Sequence, residues 1–142
     1  MLEDFIALSE ALTGVQPLDA DLADDYLARV SANPDVGGLL PDLITTFKDI
    51  TSKGGGASAI DAGIQSRIMG DARLGPAAQQ ILYLWYISAF FPLDPTDPTK
   101  LKGTWQYGPP QQYPKGLVWS VIKAHAPMAP GGPVGYWTEP PA

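Results

Sequence analysis

The sequence predicts a mainly α-helical protein: a compact bundle of about five helices over residues 1–91, then a long irregular C-terminal arm, residues 92–142, rich in proline and aromatic residues and holding one short helix. Three observations lead there. Apolar residues recur at steps of three and four through the first 91 positions, the period of one helix face. Residues that start and stop helices fall between those stretches. Eleven of the fifteen prolines lie from Pro92 onward, and proline at that density forbids a long helix or a central strand, because each one deletes a backbone donor and fixes φ.

In order along the chain, Leu2, Phe5, Ile6, Leu8, Ala11 and Leu12 form the first apolar face, and Gly14 stops that helix. Asp19 suits the N-cap of the second, whose stripe is Leu22, Tyr26, Leu27 and Val30, with Asn33 and Pro34 ending it. Pro41 sits in the first turn of the third, and Asp42 favours the positive end of its dipole. Leu43, Ile44, Phe47 and Ile50 supply its buried face, and Lys53 with Gly54, Gly55 and Gly56 closes it. A fourth, weaker helix follows from Ile60, Ile64, Ile68 and Met69, with Gly63 costing it about 1 kcal/mol relative to alanine. Pro76 opens the fifth, whose AAQQILYLWYISAFF run (77–91) is apolar nearly all round and reads as the central core helix. That run is short of the roughly 20 residues a bilayer span needs. PLDPTDPTKLKG (92–103) is turn chemistry throughout, and KGLVWSVIKAHA (115–126) carries the last helical signal.

A chain of 142 residues suits one folding unit with an appended arm. Its net charge of −6, without any basic stripe, argues against nucleic-acid binding, which needs clustered Lys and Arg. The charge is uneven: residues 1–91 hold twelve acidic and five basic side chains, residues 92–142 three and four. Cysteine is absent, which removes disulfides, thiolate metal sites and cysteine nucleophiles. His125 is the single histidine, so no imidazole cluster can hold a metal.

No motif frames a reaction. The glycines at 54–56 lack the lysine and the strand-to-helix setting of a phosphate cradle and read as a loop. The pairs Asp19 with Asp21 and Asp24 with Asp25 sit where a helix dipole favours acids, so capping outweighs acid–base chemistry. DPTDP (94–98) lacks the alternating oxygen ligands and closing glutamate of a calcium loop. His125 has no framed nucleophile, and a structural or interface hydrogen bond is the better reading for it. No catalytic, cofactor-binding or metal-ligating residue is therefore assigned.

The arm remains to be explained. Disordered tails are poor in large aromatics, yet this one carries Trp105, Tyr107, Tyr113, Trp119, Tyr136 and Trp137. Tyr and Trp are enriched both in cores and in binding hot spots, so composition leaves packing on the chain's own body and packing on a partner evenly matched.

Three segments taken in order resemble a known family: FIALSEALTG (Phe5 to Gly14), ILYLWYISAF (Ile81 to Phe90), and YPKGLVWSVIKAHAP with GYW (Tyr113 to Pro127, Gly135 to Trp137). They are similar to the small subunits of bacterial FAD-dependent sugar and polyol dehydrogenases, the membrane-bound sorbitol dehydrogenase small-subunit family of the glucose, fructose and sorbitol enzymes. The likeness spans nearly the whole chain. It implies a subunit that is no catalyst itself but partners a large flavoprotein of the glucose-methanol-choline type, which binds FAD and oxidises the sugar, in some complexes with a cytochrome c subunit. It also implies an escort role in folding, cofactor loading and export, and thus a periplasmic location, or the periplasmic face of the inner membrane.

Two departures stand out. No leader of the family's twin-arginine type opens the sequence, which implies either its removal or a cytoplasmic complex. Several relatives carry tail cysteines, so here association must rest on buried apolar and aromatic area without a covalent link. The expected partner contacts are Trp105, Tyr107, Tyr113, Trp119, His125, Tyr136 and Trp137. Two alternatives remain: a self-contained small enzyme using His125, and a structural helical protein whose tail seals its own core.

Overall fold

The computed structural model describes residues 1–91, 93–94, 97–101 and 106–121. It is mainly helical, with five principal helices, α1 (Leu2–Thr13), α2 (Ala20–Ala32), α3 (Leu40–Ser52), α4 (Gly56–Gly63) and α5 (Leu74–Ile87), and a single turn, α6 (Val118–Val121). Short strands β1 (Ala89–Phe90), β2 (Leu93–Asp94), β3 (Asp97–Leu101) and β4 (Gln106–Tyr107) lie between α5 and α6. By contacts the chain divides into two compact units, Met1–Leu82 and Tyr83–Ala142. The division falls within α5.

In the first unit the ends of the helices follow from local chemistry. Gly14 adopts φ 72° after α1 and returns its N–H to the carbonyl of Glu10, a conformation glycine reaches without steric cost. The carboxylate of Asp19 accepts the N–H of Leu22 at 2.8 Å and caps α2. Asn33, just past α2, accepts the N–H groups of Asp35 and Val36 with its side chain and turns the chain towards α3. Pro41 occupies the first turn of α3. Of the apolar faces predicted for these helices, Phe5 and Leu8 of α1, Leu22, Tyr26 and Val30 of α2, and Leu43, Ile44, Phe47 and Ile50 of α3 are buried, while Leu2, Ile6, Ala11, Leu12 and Leu27 are half-buried. Helix α1 packs against both α2 and α3.

The fourth helix departs from its expected form. After Gly63 the chain widens into a π-helix over Ile64–Met69, where the N–H of Gly70 reaches back five residues to the carbonyl of Gln65 at 2.9 Å. Gly63 explains the close approach of this segment to α3: a Cβ there would lie 2.7 Å from Cγ2 of the buried Ile50. The widened turn keeps Ile64 and Ile68 buried.

The fifth helix begins at Leu74, two residues before Pro76, because the Asp71 carboxylate accepts the N–H groups of Arg73 and Leu74 and starts it early. It also stops sooner than its apolar run. Ser88 takes a left-handed φ of 56°, and Ala89–Phe90 leaves as a strand. The segment expected to be all turns is likewise corrected, since β2 and β3 pair antiparallel, Leu93 opposite Leu101 and Asp94 opposite Asp97. Pro98 is tolerated there because, among the described residues, the sheet has two strands and no central one. The helix expected over 115–126 is broken in its first half: Tyr113–Lys115 is a 3-10 turn, Gly116 is extended, and α6 starts at Val118. Residues 122–126 lie outside the described residues. Among the described residues, no helix is long and apolar enough to cross a membrane.

Candidate partner-binding site

Within the second unit, the chain after α5 folds back over the C-terminal end of that helix. A helix leaves its last four carbonyls without intrahelical donors, and two of those on α5 find partners close by. Leu84 O accepts the N–H of Ser88 at 2.8 Å, and Trp85 O accepts the N–H of Leu117 at 2.9 Å. Leu117 can reach because Gly116 has no side chain, since a Cβ at that position would collide with the carbonyl oxygen of Tyr86. Ser88, almost fully buried, donates its hydroxyl to the carbonyl of Gln112 at 2.8 Å. Strand β1 then pairs antiparallel with β4, placing Ala89 opposite Tyr107 and Phe90 opposite Gln106.

These bonds mount an aromatic ladder. Tyr107 meets Tyr113 edge to face, with centroids 5.5 Å apart at 86°, and Tyr113 meets Trp119 in the same way at 5.4 Å and 86°. The indole N–H of Trp119 donates to the carbonyl of Tyr113 at 3.0 Å, which locks the last two rungs. Tyr113 and Trp119 are half-buried, whereas Tyr107 is 56% exposed. Burial, with the neighbouring Tyr107 phenol adding to it, raises the Tyr113 phenol above the ordinary tyrosine value. At neutral pH the Tyr113 phenol is therefore protonated and uncharged.

Of the seven residues expected to meet a partner, three are thus brought together: Tyr107, Tyr113 and Trp119. Trp105, His125, Tyr136 and Trp137 lie outside the described residues. Sequence reasoning missed Ser88, Gln112 and Gly116, which hold the ladder in place. A serine in left-handed conformation leaves no signature in sequence, and Gly116 reads as an ordinary helix-start glycine.

The other candidates of the sequence take structural roles. Gly54, Gly55 and Gly56 have φ values of 72°, 93° and 77° and turn the chain from α3 into α4. Asp19 caps α2, while Asp21, Asp24 and Asp25 point outward from it as exposed side chains. A polar groove of about 560 Å³ in the first unit runs between α3 and the π-helix, with Asp42, Thr45, Thr46, Ser66, Arg67 and Arg73 on its walls. Its charged groups are already answered: Arg73 lies 3.6 Å from Asp42, Arg67 2.6 Å from Asp49, and Asp71 holds backbone N–H groups. The groove is a seam between ion-paired elements. Among the described residues no group of three or more His, Cys, Asp or Glu is placed to hold a metal ion.

Compared with known proteins, the chain matches no family model and no curated protein.

Proposed function

We propose that this chain is a non-catalytic accessory subunit that binds and stabilises the FAD-containing large subunit of a sugar or polyol dehydrogenase complex and supports its maturation. The observation that carries the reading is the order of three segments, FIALSEALTG, ILYLWYISAF and YPKGLVWSVIKAHAP with GYW, along one chain. The ladder gives it physical support, because an exposed tyrosine on a hydrogen-bonded mount suits a binding hot spot. The partner is a large flavoprotein of the glucose-methanol-choline type, with a cytochrome c subunit as a further member of some such complexes. FAD belongs to that partner, and the complex works in the periplasm or at the periplasmic face of the inner membrane. Trp105, Tyr107, Tyr113, Trp119, His125, Tyr136 and Trp137 form the contact, which needs roughly 1,200 Å² or more of buried surface to be stable.

Expression of the large flavoprotein with and without this chain tests the proposal. Soluble, flavin-loaded large subunit should accumulate only in the chain's presence, and equal yields in its absence would sink the escort role.

A second reading has one specific observation in its favour. The bonds from Leu117 to Trp85 and from Ser88 to Gln112 employ the first half of the arm in the chain's own fold. On that reading the isolated chain unfolds cooperatively as a monomer and takes up no flavoprotein.

A further inference from the structure

Resting on the accessory-subunit reading, we propose that Tyr107 is the residue the large flavoprotein subunit grips, in an uncharged apolar slot on its surface, and that within the contact Tyr113 and Trp119 act as its mount. Among the described residues the exposed large apolar side chains are Met1, at the chain end, and Tyr107. Tyr107 is also the end rung of the ladder, with a neighbouring ring on one side only of the described stack.

Its backbone is fixed by pairing with β1, and its ring by the edge contact with Tyr113. Tyr113 in turn is held by Trp119, whose indole hydrogen is taken up by the Tyr113 carbonyl. A side chain ordered before association loses little rotamer freedom on binding, which is what distinguishes an anchor from a flexible surface aromatic. Pro109 and Pro110, both exposed beside it, stiffen the same turn.

Charge indicates what the slot is like. From Gln106 to Gln112 no side chain is charged, in a chain whose net charge is −6. A charged partner surface would lose water against this segment and gain no ion pair, so the complementary surface is neutral, with one acceptor for the Tyr107 hydroxyl. The same net charge opposes a second copy of this chain as the occupant, because a two-fold contact would bring like-charged molecules together.

The test is a titration of the co-expressed, flavin-loaded large subunit with the full-length chain and two variants, alongside the melting temperature and sedimentation of each chain alone. Tyr107→Ala should weaken binding by about thirtyfold or more while leaving the melting temperature of the isolated chain near that of wild type. Gln111→Glu, which adds a charge on the exposed turn without removing a ladder ring, should weaken it by about tenfold. Raising salt should alter wild-type affinity by less than about threefold. Wild-type affinity retained by both variants overturns the assignment and leaves the accessory role standing. Absence of binding by the wild-type chain overturns both together. A chain that dimerises alone and loses the dimer in Tyr107→Ala also overturns it, by making a second copy the occupant.

Discussion

Ser88 stands one residue beyond α5 at φ 56° and donates its hydroxyl to the carbonyl oxygen of Gln112, 24 positions further on, at 2.8 Å. The left-handed conformation ends the helix, and the bond returns the arm to it. Both features sit on one side chain, so two substitutions separate them. Ser88→Ala keeps the unfavourable φ and removes a donor from a buried carbonyl, and should cost about 1–3 kcal/mol in urea unfolding. Ser88→Gly loses the same bond but relaxes the backbone, and should cost about 1 kcal/mol less than the alanine variant.

Gly63→Ala should destabilise the protein although alanine is the better helix former. Propensity favours alanine by about 1 kcal/mol. Against that, the new methyl must share space with a buried, β-branched Ile50 lying 2.7 Å from it, and overpacking of that kind costs about 1–3 kcal/mol. A lower urea midpoint with an unchanged slope is the expected result, and a raised midpoint would show that α3 and the π-helix can separate freely.

Ser9 is fully buried on α1, and among the described residues its hydroxyl has no hydrogen-bond partner. A buried hydroxyl without a partner carries a desolvation penalty of about 1–3 kcal/mol. Ser9→Ala removes it with little change of shape, so the variant should be at least as stable as wild type and up to about 1 kcal/mol more so, read from the same unfolding curves.

Acid should weaken the first unit through two carboxylates. Asp71 is held below the usual carboxylate range by the N–H groups of Leu74 and then Arg73, and Asp49 by Arg67 and then Lys53. A folded value below the unfolded one means the contribution is present above the unfolded value, near pH 4, and is lost as pH falls through the folded one. The urea midpoint should therefore drop as pH falls below about 4, and Asp49→Asn combined with Asp71→Asn should flatten that drop. An equally steep drop in the double variant would place the acid sensitivity elsewhere.

What could be read ahead of the structure was whatever a few neighbouring residues decide. Gly14 as a stop, Asp19 as a cap and Pro41 in a first turn all act within four positions, and the structure uses them as expected. The close packing at Gly63 depends on Ile50 across the helix interface, the end of α5 on Gln112, and β1 on a strand that comes 17 residues later. Such decisions are made between distant segments, and composition does not record them. At the candidate site, Tyr107, Tyr113 and Trp119 were legible as residue types, while their unequal exposure was not.

Sedimentation velocity of the purified 15.1 kDa chain mixed with the flavin-containing large subunit bears straight on whether this is an accessory subunit. The small chain should move with the flavin absorbance in one larger species, at protein concentrations where each component alone sediments separately. Two independent boundaries at micromolar concentration, with all flavin in the large one and none of this chain beside it, would contradict the assignment.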